Sequence, residues 1–377
     1  MKPARRLAIT AAVATLALTA AGCSSGSSGG GGSASGANWG TATSASGGGG
    51  MAALVAAAKT EGTLNVIALP PNWANYGAII KAFSDKYGIK IVSANPNGSS
   101  QDEVNAVKQE AGTAAAPDVL DIGMAVALAN TAQFAPYQVA TWKDIPSSQV
   151  EPSGLWVQDY GGYMAIGYDS AKFGTISSIN DLLGSKFKNA VALNGNPTQA
   201  NAALNGVMMA NVAAGGSLDD ISKGVNFFHQ LKQAGNFVPV QATTATVKAG
   251  TTPVVFDWDY LNATHGADVP SWKLFVPANA VLGGYYAQAI NKQAPHPAAA
   301  RLWEEFLYSQ DASGGQNLWL VGGARPVEMA AMTGNGSINT SAAAKLPAVT
   351  TTPVFMSATQ ATAASAYLAK NWATAIK

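Results

Sequence analysis

Two carboxylates set two positions apart, Asp257 and Asp259, are the residues best spaced for chemistry in this chain. They fall in the run 253–260, PVVFDWDY, which reads as a strand. In an extended strand they share one face, while Phe256, Trp258 and Tyr260 take the other. Two carboxylates on one face repel unless a cation or a basic group sits between them. A small amine fits that need, because its ammonium answers the acids and its alkyl carbons pack on aromatic faces, with cation–π attraction added. A plainer reading stays open, in which Asp259 caps a helix starting near Tyr260 and Asp257 pairs with a lysine. As a hydrolytic pair the two are poorly set, since the acids of a glycosidase flank the scissile bond and these share one strand.

The remaining reactive residue types make no recognisable set. His229, His265 and His296 are far apart and lack metal-ligand spacing, and neither a GxSxG elbow nor a phosphate-binding glycine loop with its lysine occurs. No cofactor, metal site or catalytic group is therefore expected. A secreted hydrolase using Asp257 and Asp259 remains the alternative of another class. Tyr285 and Tyr286 are adjacent, so one faces a cleft and the other the core. Ser99 and Ser100, and Thr198 with Gln199, sit at predicted helix starts. Free N–H groups there suit an anion, although such residues also serve simply as caps.

The chain starts with Lys2, Arg5 and Arg6, followed over 7–20 by an uncharged apolar run and then the segment LTAAGC that ends at Cys23. This order is that of a secretory signal peptide, and the run is too short to span a bilayer stably. The segment resembles the lipobox of bacterial lipoproteins, with Ala20 where leucine is common. Cys23 is the sole cysteine, so it forms no internal disulfide, and lipidation would mask its thiol. The expected layout is a signal peptide over 1–22, a lipidated Cys23 with a Gly/Ser linker over 23–50, and a folded domain over 51–377. The linker, rich in Gly, Ser, Ala and Thr, is expected to be disordered, with Trp39 solvated. Its reach is roughly 30 Å.

The domain is long enough for two cores. Setting aside the three leading basic residues leaves 19 Lys and Arg against 21 Asp and Glu, which argues against a nucleic-acid binder. Strands at 64–69, 90–93 and 119–122 alternate with helices over 75–87, after Ser99, and over 125–133. That alternation implies a parallel sheet with ligands beyond the strand ends. Those ends lead into 70–73, 95–100 and Gly123–Met124, which makes Trp73, Ser99, Ser100 and Met124 candidate contacts. Further strands are expected over 162–168, 191–193 and 285–290, a helix after 196–199, and another over 296–308.

The segments EGTLNVIA, APDVLDIG, GGYMAIGYDS, the run YAQAINKQAPHPAAARLWEEFLYS, and GGARPV resemble, in that order, those of extracellular solute-binding proteins of bacterial ABC importers. Members of this family take polyamines, ferric iron, thiamine or aminophosphonates. The resemblance implies an α/β, two-lobed periplasmic-binding-protein-like fold of type II, each lobe a mostly parallel sheet flanked by helices. The lobes would span about 60–164 with 286–322, and 165–285 with 323–377, the ligand lying between them. It also implies Tyr160 and Tyr163 beside the first crossover, Trp73 over the ligand, and Asp257, Trp258, Asp259, Tyr260 and Tyr286 at the cleft edge. The implied function is capture of a small solute, a polyamine or other small amine, by a monomer anchored through Cys23 on the outer face of the membrane. Its partners would be an ABC permease and ATPase. Ferric iron and an aminophosphonate are the alternatives within the fold.

Overall fold

The computed structural model describes residues 38–377. The expected signal peptide, Cys23 and the linker as far as residue 37 lie outside the described residues. Eleven strands follow in order: β1 Thr63–Ile67, β2 Lys90–Ala94, β3 Val119–Gly123, β4 Phe134–Ala135, β5 Val157–Asp169, β6 Val191–Leu193, β7 Val254–Trp258, β8 Trp272–Phe275, β9 Leu282–Asn291, β10 Arg325–Pro326 and β11 Val354–Phe355. Helices flank them, so the class is α/β as expected.

The expectation of mostly parallel sheets is corrected. Only β1–β2, β6–β7 and β9–β11 pair in parallel, and the other six pairings are antiparallel. The cause is the path of two long strands. The first half of β5 pairs with β9 and β10, and its second half with β7 and β8. β9 then returns against both β3 and β5. Strands that carry the chain between two sheets run against their neighbours, whereas βαβ crossovers alone would keep the sheet parallel. β5 bears no side chain at the crossing. A Cβ on Gly161 would lie 2.1 Å from the Gly284 carbonyl oxygen, and one on Gly162 would lie 2.4 Å from the Asp259 carboxylate.

Local chemistry explains the helices that carry the cavity. Helix Tyr76–Tyr87 buries Tyr76, Ile79 and Phe83 at helical spacing and stops at Gly88, whose φ of 71° is left-handed. Helix Ser100–Gln109 starts with a capping box, Ser99 and Asp102 each bonding the other's backbone N–H. Helix Asn201–Ala213 is buried on nearly every side. The strand expected over 253–260 is shorter, for it stops at Trp258 and a helix Asp259–Thr264 follows. The Asp259 carboxylate accepts the N–H groups of Tyr163 and Tyr260, which turns the chain there.

The disorder expected through Gly50 is also corrected from residue 38 onward. Trp39 is buried at 6 % exposure and joins the main core. Gly48 faces the indole so closely that a Cβ would come within 2.3 Å of it. Arg301, 1 % exposed, donates through Nε to the Ala42 carbonyl at 2.7 Å, and Gln138 donates its backbone N–H to Thr43. Composition alone misses this arm because its carbonyls are satisfied by an arginine far downstream. Substituting Arg301→Ala should destabilise the domain by about 2 kcal/mol. It should also speed cleavage between residues 38 and 50 by proteinase K. Unchanged cleavage would show that the arm does not depend on this clamp.

Candidate functional site

A cavity of about 610 Å³ lies between the two groups of strands. One wall comes from the turn after β1 (Ala68, Pro70, Asn72, Trp73), from 96–100 and the first turn of helix Ser100–Gln109, and from Asp121 of β3. The opposite wall comes from 193–197, 199–202 and 237–245, from Asp257 at the end of β7, and from Leu261, Thr264 and His265. Tyr286 of β9 and Trp372 of the C-terminal helix Ala358–Ala375 complete it. Across the cavity, Asn72 donates its side-chain amide to Thr244 Oγ1.

Of the residues singled out from sequence, Trp73, Ser99, Ser100, Gln199, Asp257 and Tyr286 line this cavity. The others are corrected. Asp259 is buried away from it in an ion pair with Arg325 at 2.7 Å, so the two acids do not share a face. Tyr163 lies beneath the same guanidinium, with its ring centroid 4.0 Å away. Trp258 and Tyr260 are core residues stacked on each other, and Trp258 donates to the Tyr286 hydroxyl from behind. Met124 packs into the apolar cluster around Leu120 and Ile122. Thr198 is held in a turn by the Asn196 side chain. Tyr285 stacks on Phe355, which leaves Tyr286 as the tyrosine of the adjacent pair that meets the cavity.

The acids on the walls are Asp102, Glu103, Asp121 and Asp257, and among the described residues no Lys or Arg lines the cavity. Asp257 is 3 % exposed and accepts from Trp258 N–H and from Asn194 Nδ2. Burial pushes its carboxyl up to about 7, with those two donors pulling the other way. Burial likewise raises Glu103, which accepts the Asp121 N–H. Asp121 is raised by burial and pulled back by two phenol donors, Tyr160 and Tyr76. Trp73 donates to the Tyr160 hydroxyl at 2.7 Å, and Gln288 donates to the Tyr76 hydroxyl at 3.1 Å. His265 is lowered to about 4 by burial, so it is neutral near pH 7. The walls therefore present acidic and aromatic groups, and among the described residues no Lys or Arg compensates the acids.

Sequence reading missed Asp121, Glu103, Asn194 and His265. For Asp121 a signal existed, a lone carboxylate inside the apolar run VLDIG. For Asn194 and His265 only the fold reveals the site.

A strand shared by two sheets and a solvent-reaching cavity between them define a periplasmic-binding-protein-like fold. The sequence profile of bacterial extracellular solute-binding proteins matches residues 117–362, and the chain belongs to that family. No curated protein matches it. Similar solved structures include the periplasmic binding protein P5PA, at 18% identity and a TM-score of 0.64, covering 84% of this chain and 100% of that one. An ABC transporter substrate-binding protein from Bradyrhizobium japonicum USDA 110 is 17% identical, with a TM-score of 0.63 and coverage of 84% and 99%. The binding protein AgtB from A. tumefaciens R10, solved with agropinic acid, is 13% identical, with a TM-score of 0.64 and coverage of 83% and 98%.

The two sequence-neighbouring acids should respond oppositely to removal of charge. Asp259→Ala leaves Arg325 buried without its partner and should cost about 3–5 kcal/mol. Asp257→Asn should instead raise the melting temperature of the ligand-free protein at pH 8, where the native side chain is a buried anion. A folded pKa near 7 against 3.8 for the free group means that stability falls as pH rises through that window. The advantage of Asn should therefore vanish below about pH 4. Melting curves from pH 4 to pH 8 check both, and destabilisation by Asp257→Asn at pH 8 would refute the second.

Proposed function

We propose that this protein is the substrate-binding component of an ABC importer that captures a small cationic amine in the cavity and hands it to a membrane permease. The acid-only wall is the observation that carries the reading. Four acidic side chains line the cavity, and among the described residues no Lys or Arg does. A buried cation offsets their repulsion, and the rings of Trp73 and Tyr286 suit its alkyl carbons. An aminophosphonate is less well served, because the Ser99 N–H and hydroxyl are already taken by the Asp102 carboxylate and the Ser100 hydroxyl accepts the Gly123 N–H. Ferric iron bound by phenolate meets a Tyr286 phenol that burial holds above its usual range. A hydrolase using Asp257 and Asp259 loses its pair, since Asp259 is committed to Arg325.

The two lobes proposed, about 60–164 with 286–322 and 165–285 with 323–377, close by bending at β5, β9 and β10. A thermal-shift screen with putrescine, spermidine, aminoethylphosphonate, thiamine and ferric citrate tests the ligand class. An amine at 100 times its dissociation constant should add about 2.7 kcal/mol of stability. Asp257→Asn should weaken that amine about tenfold. Affinity should also climb as pH rises through about 7, because the cation binds the ionised form of Asp257. Stabilisation by a neutral sugar alone would overturn the amine reading.

We further propose that the protein acts as a monomer tethered outside the cell membrane by a lipid on Cys23. Intact-mass analysis should show a diacylglyceryl adduct on Cys23 in membrane-extracted protein, and Cys23→Ala should release soluble, folded domain or leave it uncleaved. An unmodified Cys23 in membrane-extracted protein would end the lipid reading.

A further inference from the structure

We infer that Asp121 selects the solute by accepting a hydrogen bond from a protonated nitrogen that carries at least one N–H, so that the site separates amines from quaternary ammonium ions. The inference rests on the amine reading above and adds the atom that recognises the ligand. Asp121 stands in the cavity wall at 7 % exposure. Its Oδ2 accepts from the hydroxyls of Tyr76 and Tyr160, each at 2.8 Å. Its Oδ1 is buried and receives no hydrogen bond from the protein. A carboxylate has room for about four donors, and a buried oxygen left without one is unfavourable.

The surrounding residues are not free to supply the missing donor. Tyr160 accepts from Trp73 Nε1 and gives its own proton to Oδ2. Tyr76 accepts from Gln288 Nε2 and gives its proton to the same oxygen. Gln288 stands opposite Asp121 in the β3–β9 register, yet its amide is shared between Tyr76 and the Asp159 carboxylate at 2.8 Å. Both phenol protons are thus directed to one oxygen, and the frame of Trp73, Tyr160, Tyr76 and Gln288 fixes the carboxylate's orientation. The titratable neighbours on the packed elements, Glu103 and Asp159, are acids that burial pushes toward the neutral form, and neither brings positive charge to Asp121.

Asp257 differs in a way that divides the labour. Each of its oxygens already has a donor, Trp258 N–H on Oδ1 and Asn194 Nδ2 on Oδ2. It supplies charge to the cavity, whereas Asp121 supplies charge and a directed acceptor. A quaternary ammonium feels the first and has no N–H to offer the second.

Calorimetric titration of the purified protein with butylamine and with butyltrimethylammonium tests this. The wild type should bind butylamine at least about tenfold more tightly. Asp121→Asn should remove most of that preference, and Asp257→Asn should weaken both cations alike while keeping it. Equal affinity of the wild type for the two cations would overturn the role of Asp121 and leave the amine reading standing, and this comparison needs no variant to fold. Preference kept in full by a folded Asp121→Asn would overturn it as well. If neither cation binds and an anion or a neutral sugar raises the melting temperature instead, the amine reading and the inference fall together.

Discussion

One strand supplies hydrogen bonds to both halves of the molecule. β5 runs thirteen residues, pairing with β9 and β10 at one end, with a register shift against β9 between Gln158 and Gly161, and with β7 and β8 at the other. Everything at the cavity is placed relative to it. Tyr160 projects from its first half to hold Asp121, and its second half pairs β7 in register, Ala165 opposite Asp257. The glycines at its middle allow the Gly284 carbonyl and the Asp259 carboxylate to approach. The buried Asp259–Arg325 pair joins the ends of β7 and β10 at that point, with Tyr163 of β5 beneath the guanidinium. Such a pair contributes geometry more than net stability, because desolvation offsets much of its attraction.

The burial of acids follows a different logic on the cavity wall. Asp121, Glu103 and Asp257 are nearly inaccessible and have no basic partner. A fold selected for stability alone would replace them with apolar residues of similar size. Keeping them places titratable acids where water is scarce and the effective dielectric is low, so that an entering cation acts strongly to favour their charged forms.

The elements were largely legible, because burial periodicity and capping chemistry are local. β6 falls on the expected 191–193, and the capping box at Ser99 forms as read. The misreadings share one cause, a partner remote in sequence. Asp257 and Asp259 alternate like strand neighbours, but Arg325 draws Asp259 into a turn. A Gly/Ser-rich stretch reads as disordered, but Arg301 binds its carbonyls and the core takes Trp39. Strand direction departs from the expectation because β9 returns against β3 and β5 only after the chain has passed through β6 to β8. Half of the proposed contacts line the cavity, and the main residue missed, Asp121, was visible only as a polar interruption in a buried strand.

That last arrangement governs how the chain must fold. β3 and β4 receive β9 from residues 282–291, and the arm at 40–42 waits for Arg301, some 260 positions later. Glu61 likewise caps the helix beginning at Pro297, accepting the N–H groups of Ala298 and Ala299. Neither the arm nor β3 can reach its final pairing until most of the chain has been synthesised. Such non-local closure makes folding slow and leaves a long interval with incomplete, extended intermediates. A fragment that ends before Arg301 therefore lacks both the guanidinium that holds the arm and the helix that Glu61 caps.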